Sequence, residues 1–196
     1  MTGFVSLAIW GIFLLVGWLG HRPVICAVSG LCLLAAAVRR YAAGRRERSA
    51  RRLWADFARD RGAPAEYPYQ RWIFQNRPGG GESAARMVLS GRICGESYPA
   101  PCFAAGGQPL PEAGQYNVVC DGKRRAVCVV RTVSVTRRAF SQVSRELAVT
   151  EGYGSPEEWR AAKRPKFERL CAMAGIPFET HMEILFEKFE VVYPTD

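Results

Sequence analysis

The sequence predicts an α+β domain, a curved sheet or small β-barrel with flanking helices, preceded by an N-terminal transmembrane helical hairpin. Three observations support this prediction. Two uncharged segments occupy residues 3–19 and 24–38. β-branched residues are concentrated in 115–135, and segments with helix-start signals separate these strands from a β-rich segment at 182–194. Strands separated by helices around a central β-hairpin are typical of mixed α+β folds.

Residues 1–43 are predicted to form the transmembrane helical hairpin that anchors the chain in a bilayer. As helices, segments 3–19 and 24–38 would span roughly 26 and 23 Å, against about 30 Å of hydrocarbon. The proline at 23 breaks the helix between them, and the arginines that follow place both ends on the cytoplasmic side. A cleaved secretory signal and a buried apolar hairpin of a soluble protein are the alternatives.

The positive charge of the chain is concentrated in one segment. Residues 39–61 contain nine arginines and three acidic residues, a local charge of +6, and Arg22 adds one more. The formal charge of the whole chain is +9, so residues 62–196 carry only +2. Non-specific nucleic-acid binding depends on many cations that neutralise phosphates, so the main body gives little support to that class of function.

Residues 44–62 are predicted to form a basic helix at the membrane surface. Leu53, Trp54 and Phe57 recur at helical spacing among the arginines, and Gly62 ends the pattern. The arginines would bind anionic lipid or RNA phosphates, or would only orient the membrane segment.

Seven cysteines are spread over the chain without a CxxC pair. An odd number without paired spacing matches neither a disulfide framework nor a zinc knuckle. The sequence therefore predicts free thiols in a reducing compartment, and it predicts no metal and no cofactor.

The first part of the main body is predicted to contain one helix and one β-hairpin. Residues 82–89 have an apolar side and are followed by Gly91, which ends the helix. Segment 88–99, VLSGRICGESYP, is interpreted as the loop at the end of this apolar segment. Residues 115–135 are rich in β-branched residues on both sides of a turn, which predicts a β-hairpin.

The second part is predicted to contain two helices and a closing strand. Residues 140–147 are expected to be helical. A longer helix begins with Ser155 as N-cap and Pro156 at its first position, and Pro165 is expected to kink or restart it. Residues 182–194 are predicted to form a long final strand.

These elements occur in the order typical of one known family. The chain resembles the ASCH domain, a relative of the PUA fold, over residues 52–194, through the segments YQRWIFQN, AARMVLSGR, GQPLPEAGQYNVVCDGKRRAVCVVRTVSV, FSQVSRELAVTEGYGSPEEWR and FEKFEVVYP. The resemblance implies a PUA-like β-barrel with a cleft suited to RNA or a modified nucleoside. Members of the family include RNA-binding modules, a ribonuclease type and an amidohydrolase that removes acetyl from N4-acetylcytidine.

The resemblance also implies that the usual catalytic lysine is lost. In catalytic members the loop after the first helix reads Gly-Lys/Arg-Lys-Thr-x-Thr, and the second lysine acts with a threonine and a downstream glutamate. Matched by position, this pattern falls on Gly91, Arg92, Ile93, Cys94 and Glu96, with Glu151 as the downstream glutamate. Isoleucine at the lysine position has no titratable group, so the loop keeps its place without its expected chemistry.

Cys94, Glu96 and Glu151 are the candidate catalytic residues. Cys94 would be a nucleophile with His181 as its base, and packing in a threonine-sized space is the alternative. Glu96 and Glu151 would form a carboxylate pair for acid–base work, and solvated loop charges are the alternative.

Four further residues are candidates for ligand binding. Tyr98, Tyr153 and Trp72 would stack on a base, and Arg92 would contact a phosphate. Packing in the core is the alternative for the aromatic residues, above all for Trp72.

The sequence therefore favours a membrane-anchored protein whose domain lies on the cytoplasmic side and binds RNA or a modified nucleoside or nucleotide in its cleft, with degenerate catalytic residues. Two other functions stay open. One is a hydrolase, either an amidohydrolase of N4-acetylcytidine-type substrates or a ribonuclease. The other is a structural or assembly subunit that binds an unknown protein partner through residues 1–43.

Overall fold

The computed structural model describes residues 23–74 and 80–194 of the 196-residue chain. The chain divides into two compact units, residues 1–48 and residues 49–196. The described part of the first unit is helical and belongs to helix α1, Pro23–Arg61. The predicted apolar segment at 3–19 lies outside the described residues.

Among the residues that the structure describes, no helix has both the length and the apolar character needed to cross a membrane. The predicted transmembrane hairpin is therefore not supported in its second segment, 24–38. This segment forms the beginning of α1, and the same helix continues directly into the arginine-rich residues up to Arg61.

One mixed sheet of five strands forms the centre of the second unit, as far as the chain is described. The strands are β1 Gln70–Ile73, β2 Gly95–Pro99, β3 Tyr116–Cys120, β4 Ala126–Ala139 and β5 Glu183–Pro194. Their order is β1-β3-β4-β5-β2; β1 is parallel to β3, and the other neighbours are antiparallel. The sheet curls into a half-barrel with β1 and β2 as its two edges.

Further helices flank this sheet. They are α2 Gly80–Leu89, α3 Ala100–Ala105, α4 Arg145–Thr150 and α5 Pro156–Met173, with a short 3-10 turn at Phe140–Gln142. The predicted barrel with flanking helices is thus confirmed as a curled half-barrel.

The two faces of the central hairpin carry separate apolar clusters. Val118 and Val129 pack in one cluster with Trp54 of α1, whereas Val119 and Val130 pack in another with side chains of α2. Successive side chains of a strand point to opposite faces, and this alternation explains how β3 and β4 are covered by a helix on each side.

A third cluster joins α5 to the other end of the sheet. Trp159 and Phe167 of α5 are fully buried and pack with Ile184 and Phe186 of β5. This packing fixes the position of α5 relative to β5, and β2 is the next strand along the sheet.

Several predicted elements are confirmed. The predicted β-hairpin at 115–135 corresponds to the antiparallel pair β3 and β4, with β4 continuing to Ala139, and the predicted final strand is β5. The side chain of Ser155 accepts a hydrogen bond from the backbone N–H of Glu158, so it caps α5 as expected. Pro165 does not restart the helix, since α5 continues through it. Pro165 and Ala161 are both exposed, so water can bond the Ala161 carbonyl that lacks a helical partner.

The interpretation of 88–99 as a loop is wrong for its second half, because Gly95–Pro99 forms strand β2. Residues 95–99 contain no β-branched residue and so carry little local signal for a strand. Its pairing with β5 stabilises the extended conformation, with Glu96 opposite Glu187.

The prediction of one helix over 140–147 is also wrong. The 3-10 turn ends at Gln142, and Val143 is extended. Helix α4 starts only after Ser144, whose side chain accepts a hydrogen bond from the backbone N–H of Leu147. A helix-capping serine inside the predicted helix marks this later start.

Candidate functional site

A cavity of about 330 Å³ lies between the two edge strands of the sheet, and we call it the seam cleft. One wall is formed by β1 and Phe74, and the opposite wall by Glu96 and Tyr98 of β2. Tyr153 and residues of α5 complete its lining. The seam cleft is therefore bordered by the edges β1 and β2, which pair with β3 and β5 but not with each other.

A buried lysine from α5 joins two carboxylates beside the seam cleft. The ammonium nitrogen of Lys163 lies 3.0 Å from Oε1 of Glu96 and also contacts Oε2 of Glu151. The indole N–H of Trp159 donates to Oε1 of Glu151 at 2.7 Å. The relative exposures of Glu151 and Lys163 are only 1% and 3%. Charges this deeply buried are stable only when they are paired and hydrogen-bonded, as these are.

A second lysine extends this cluster toward the opening of the cleft. Lys166 is partly exposed, and its ammonium nitrogen lies 2.8 Å from Oε1 of Glu96. The same nitrogen lies 5.6 Å from the centroid of the Tyr98 ring. The two lysines balance the charges of Glu96 and Glu151, and Lys166 provides a cation that a ligand in the cleft can reach.

Glu187 lies opposite Glu96 in the antiparallel pairing of β5 with β2. The carboxyl group of Glu187 is buried and accepts a hydrogen bond from the hydroxyl of Thr132. Burial raises the pKa of Glu187 from 4.5 to about 7, the nearby Glu96 carboxylate adds to the rise, and the Thr132 hydrogen bond opposes it. Glu187 is thus able to give or take a proton near neutral pH.

A larger cavity of about 640 Å³ lies next to the seam cleft, and we call it the adjoining groove. It shares Gln70, Trp72 and Tyr98 with the seam cleft, and Glu187 is part of its lining. Much of the remaining wall comes from apolar side chains of α3, the C-terminal end of α5 and the proline-containing segment 105–111. The two cavities therefore offer a charged compartment beside a largely apolar one.

The structure brings most of the predicted site residues together. Tyr98, Tyr153, Trp72 and Glu96 line the seam cleft, and Glu151 is bound to Lys163, which also lines it. Trp72 is buried at the same time in the apolar cluster around Val88 and Phe189, so it both packs in the core and forms part of the cleft wall.

Two other predicted residues do not reach either cavity. Cys94 and Arg92 are absent from the linings of the seam cleft and the adjoining groove. The backbone N–H of Cys94 donates to the carbonyl of Thr150, and its own carbonyl accepts from the N–H of Phe189. Cys94 therefore links neighbouring segments through its backbone, and the side chain of Arg92 is exposed.

The alternative of a Cys94–His181 pair finds no support in the described residues. His181 is strongly exposed, and its Nε2 lies 2.7 Å from a carboxylate oxygen of Glu179. No contact between His181 and Cys94 is found in the part of the chain that the structure describes.

Ile93, at the family's lysine position, is 1% exposed and packs in the apolar cluster with Val88. A Cβ atom built on Gly152 would lie 3.2 Å from Cγ1 of Ile93. Position 93 is therefore next to the residue that follows Glu151. In this chain Lys163 brings an amine to Glu151 from α5 instead.

The candidate site residues predicted from the sequence do not include Lys163, Lys166 or Glu187, although two of these carry a local signal. Trp159, Lys163 and Phe167 are spaced four residues apart, so the lysine stands in the middle of a buried helical stripe. Glu187 stands in a strand between the buried residues Leu185 and Phe189. A charged residue within an apolar stripe or strand indicates a buried ion pair or a functional group.

Within residues 23–74 and 80–194, no three His, Cys, Asp or Glu residues are grouped so that they could hold a metal ion. The acidic groups of the site instead contact lysine and threonine. The arrangement is suited to binding and to acid–base chemistry by side chains.

Comparisons with known proteins agree with this fold. A sequence profile described as the ASCH domain matches residues 70–193. A crystal structure of an Enterococcus faecalis V583 protein of family DUF984 has a TM-score of 0.68 and 23% identity, covering 75% of this chain and 90% of that one. An ASCH domain from Lactobacillus crispatus has a TM-score of 0.65 and 24% identity, covering 76% and 95%. No curated protein matches the chain.

Replacing Lys163 with methionine is expected to lower the free energy of unfolding by about 3–5 kcal/mol, because the buried carboxylate of Glu151 loses this ammonium partner and Glu96 keeps only Lys166. The measurement is chemical denaturation at pH 7. The matched control is Lys166→Met on the same helix, which should cost less than about 1 kcal/mol because Lys166 is partly exposed. Equal losses in the two variants would contradict a special role for Lys163.

Replacing Glu187 with glutamine is expected to change how stability depends on pH. The pKa of Glu187 is higher in the folded chain, at about 7, than its ordinary value of 4.5. The folded state therefore keeps a proton that the unfolded state releases, and the contribution of Glu187 to wild-type stability should fall by up to about 3 kcal/mol as the pH rises from 4.5 to 7. Glutamine does not titrate, so Glu187→Gln should lack this part of the fall.

The measurement for Glu187 is the free energy of unfolding of both proteins at pH 5 and pH 8. Glu190→Gln serves as control, since Glu190 is exposed and paired with Arg131. The same pH dependence in wild type and Glu187→Gln would show that this carboxyl group titrates normally.

Proposed function

The chain belongs to the ASCH domain family, and from this premise we propose that it binds RNA or a nucleotide-like ligand by taking one base into the seam cleft. The observation that carries the proposal is the combination of aromatic walls and reachable charge in one cavity between the sheet edges. Its volume of about 330 Å³ lies in the range of small-ligand sites.

The aromatic walls supply stacking. Trp72 on β1 and Tyr98 on β2 line both cavities from opposite edges of the sheet. Unstacked bases bind between such side chains, and each stacked base contributes about 1–3 kcal/mol. Stacking would therefore stabilise any planar base in the cleft, whatever the neighbouring nucleotides are.

The ion cluster supplies polarity and selectivity. The ammonium group of Lys166 lies near the Tyr98 ring, and we expect it to contact a phosphate or a carbonyl oxygen of the ligand. The carboxylate of Glu96 is held by two lysines and offers acceptors to amino groups of a base. Residues 62–196 carry a net charge of only +2, so binding should depend on this local arrangement.

A second candidate function, hydrolysis of an acylated nucleoside such as N4-acetylcytidine, is favoured by one observation. Lys163 brings an amine to Glu151, the glutamate that the family pattern matches. The ammonium group of Lys166, which is partly exposed, is suited to stabilising negative charge on an oxygen of the substrate. Proton transfer would fall to Glu187, whose pKa of about 7 matches that task.

The hydrolysis would proceed by attack of water on the acetyl carbonyl. Glu187, as carboxylate, would accept the proton of the water, and Lys166 would stabilise the oxyanion. The proton would then pass to the departing amine as the C–N bond breaks, which yields cytidine and acetic acid, and the acid releases its proton to solvent as acetate.

Membrane attachment through residues 1–43 and a cytoplasmic position of the domain stay predictions from the sequence. Ligand binding in the seam cleft does not depend on them.

Replacing Tyr98 with alanine is expected to weaken binding about 5- to 100-fold, because one face of the stacked base loses its aromatic partner. The measurement is calorimetric titration of the full chain with cytidine, N4-acetylcytidine and a short single-stranded RNA. Tyr98→Phe keeps the ring and should bind within about 3-fold of wild type. Identical affinities of wild type and Tyr98→Ala for every probe that binds would exclude the seam cleft as the binding site.

The hydrolase candidate predicts release of acetate from N4-acetylcytidine by the purified full chain. Glu187→Ala should lower the rate at least 100-fold, since it removes the proton acceptor. Glu187→Gln should be equally slow yet bind the substrate normally. A wild-type rate no higher than that of Glu187→Ala would reject hydrolysis and leave the binding function untouched.

A further inference from the structure

Two cysteine thiols meet between α3 and α5. Sγ of Cys102 lies 3.8 Å from Sγ of Cys171, and both are free thiols. Sγ of Cys171 also lies 3.8 Å from Sδ of Met182. The two cysteines are 69 positions apart in the chain, so the fold alone brings them together.

The two thiols have different access to solvent. Cys102 is half-buried and forms part of the wall of the adjoining groove. Cys171 is a residue of α5 and is fully buried in the apolar cluster between this helix and the sheet. Burial raises the pKa of the Cys171 thiol to about 11, and the contact with Cys102 adds to the rise. A small oxidant entering the groove therefore meets Cys102 first, and Cys171 lies directly behind it.

The thiol pair connects the same two parts of the fold as the buried ion pair. Strand β2 carries Glu96 and continues directly into α3, which carries Cys102. Helix α5 carries both Lys163 and Cys171. A bond between the sulfurs would therefore fasten the β2–α3 segment to α5 at a second point, about two helical turns beyond Lys163.

We propose that Cys102 and Cys171 form a reversible disulfide when the protein meets a hydroperoxide, and that this bond locks the wall of the adjoining groove. The Cys102 sulfur attacks the outer oxygen of hydrogen peroxide, the O–O bond breaks, and a sulfenic acid and one water result. The Cys171 sulfur then attacks the Cys102 sulfur, and the second oxygen leaves as water. The two thiols lose two electrons and two protons, and the peroxide gains them.

The consequence of the bond is a groove with less freedom to open. Phe103 follows Cys102 on α3, and Leu170 and Met173 flank Cys171 on α5; all three side chains line the groove. Cross-linking the two helices restricts the separation of these walls. A thiol reductant returns the protein to the open form by thiol–disulfide exchange.

The test treats the full reduced chain with hydrogen peroxide and follows it by intact mass and by peptide mapping without reductant. The expected result is a loss of 2 Da and one cross-linked peptide that joins Cys102 to Cys171, both reversed by dithiothreitol. The oxidised protein should melt roughly 5–10 °C higher, because a cross-link across a long loop restricts the unfolded chain. Amide hydrogen exchange in residues 100–105 should slow at the same time.

Variants identify the sulfurs. Cys102→Ser, at a half-exposed position, should fold normally and should not form the cross-link, and Cys171→Ala should also fail to form it. Cys94→Ser is the matched control and should cross-link like wild type, since Cys94 is half-buried and has no described contact with either thiol. Accumulation of Cys102 sulfinic acid, a Met182 sulfoxide without cross-link, or a disulfide between other cysteines would each overturn the proposal.

Discussion

The rest of the site depends on the buried ion pairs of the Lys163 ammonium group. This group places one positive charge between Glu96 of β2 and Glu151 at the end of α4, and thereby ties α5 to both elements. Desolvation makes each of these charges unfavourable alone, so the three groups must be buried together or not at all. The same cluster therefore sets both the position of this wall of the seam cleft and the charge of the wall.

The position of the cleft follows from the open half-barrel. Edge strands β1 and β2 leave a gap that the apolar clusters do not fill, and aromatic side chains from both edges border it. A closed barrel would have hidden these side chains in its core. The open seam instead combines stacking surfaces, an ion cluster with a partly exposed lysine, and a largely apolar groove, and the proposal of a base as ligand rests on this combination.

Local signals predicted much of the fold but only part of the site. The N-cap at Ser155 and the β-branched residues of the hairpin are local sequence signals, so helix α5 and the β3–β4 pair could be predicted from short segments. Strand β2 was missed because Gly95–Pro99 depends on pairing with β5, some 90 residues away. The sequence shows isoleucine at position 93, but the contact of Lys163 with Glu151 depends on how the fold packs a different element, and residue spacing near position 93 gives no sign of it.

A double-mutant cycle with Lys163→Met, Glu151→Gln and the double variant tests the central claim most directly. Chemical denaturation of these proteins and wild type gives the coupling energy between the two side chains. We expect a favourable coupling of at least about 1.5 kcal/mol, because removing either partner alone deprives a buried charged group of an opposite charge in direct contact. A coupling near zero would show that Lys163 and Glu151 do not stabilise one another, and the site as described here would be wrong.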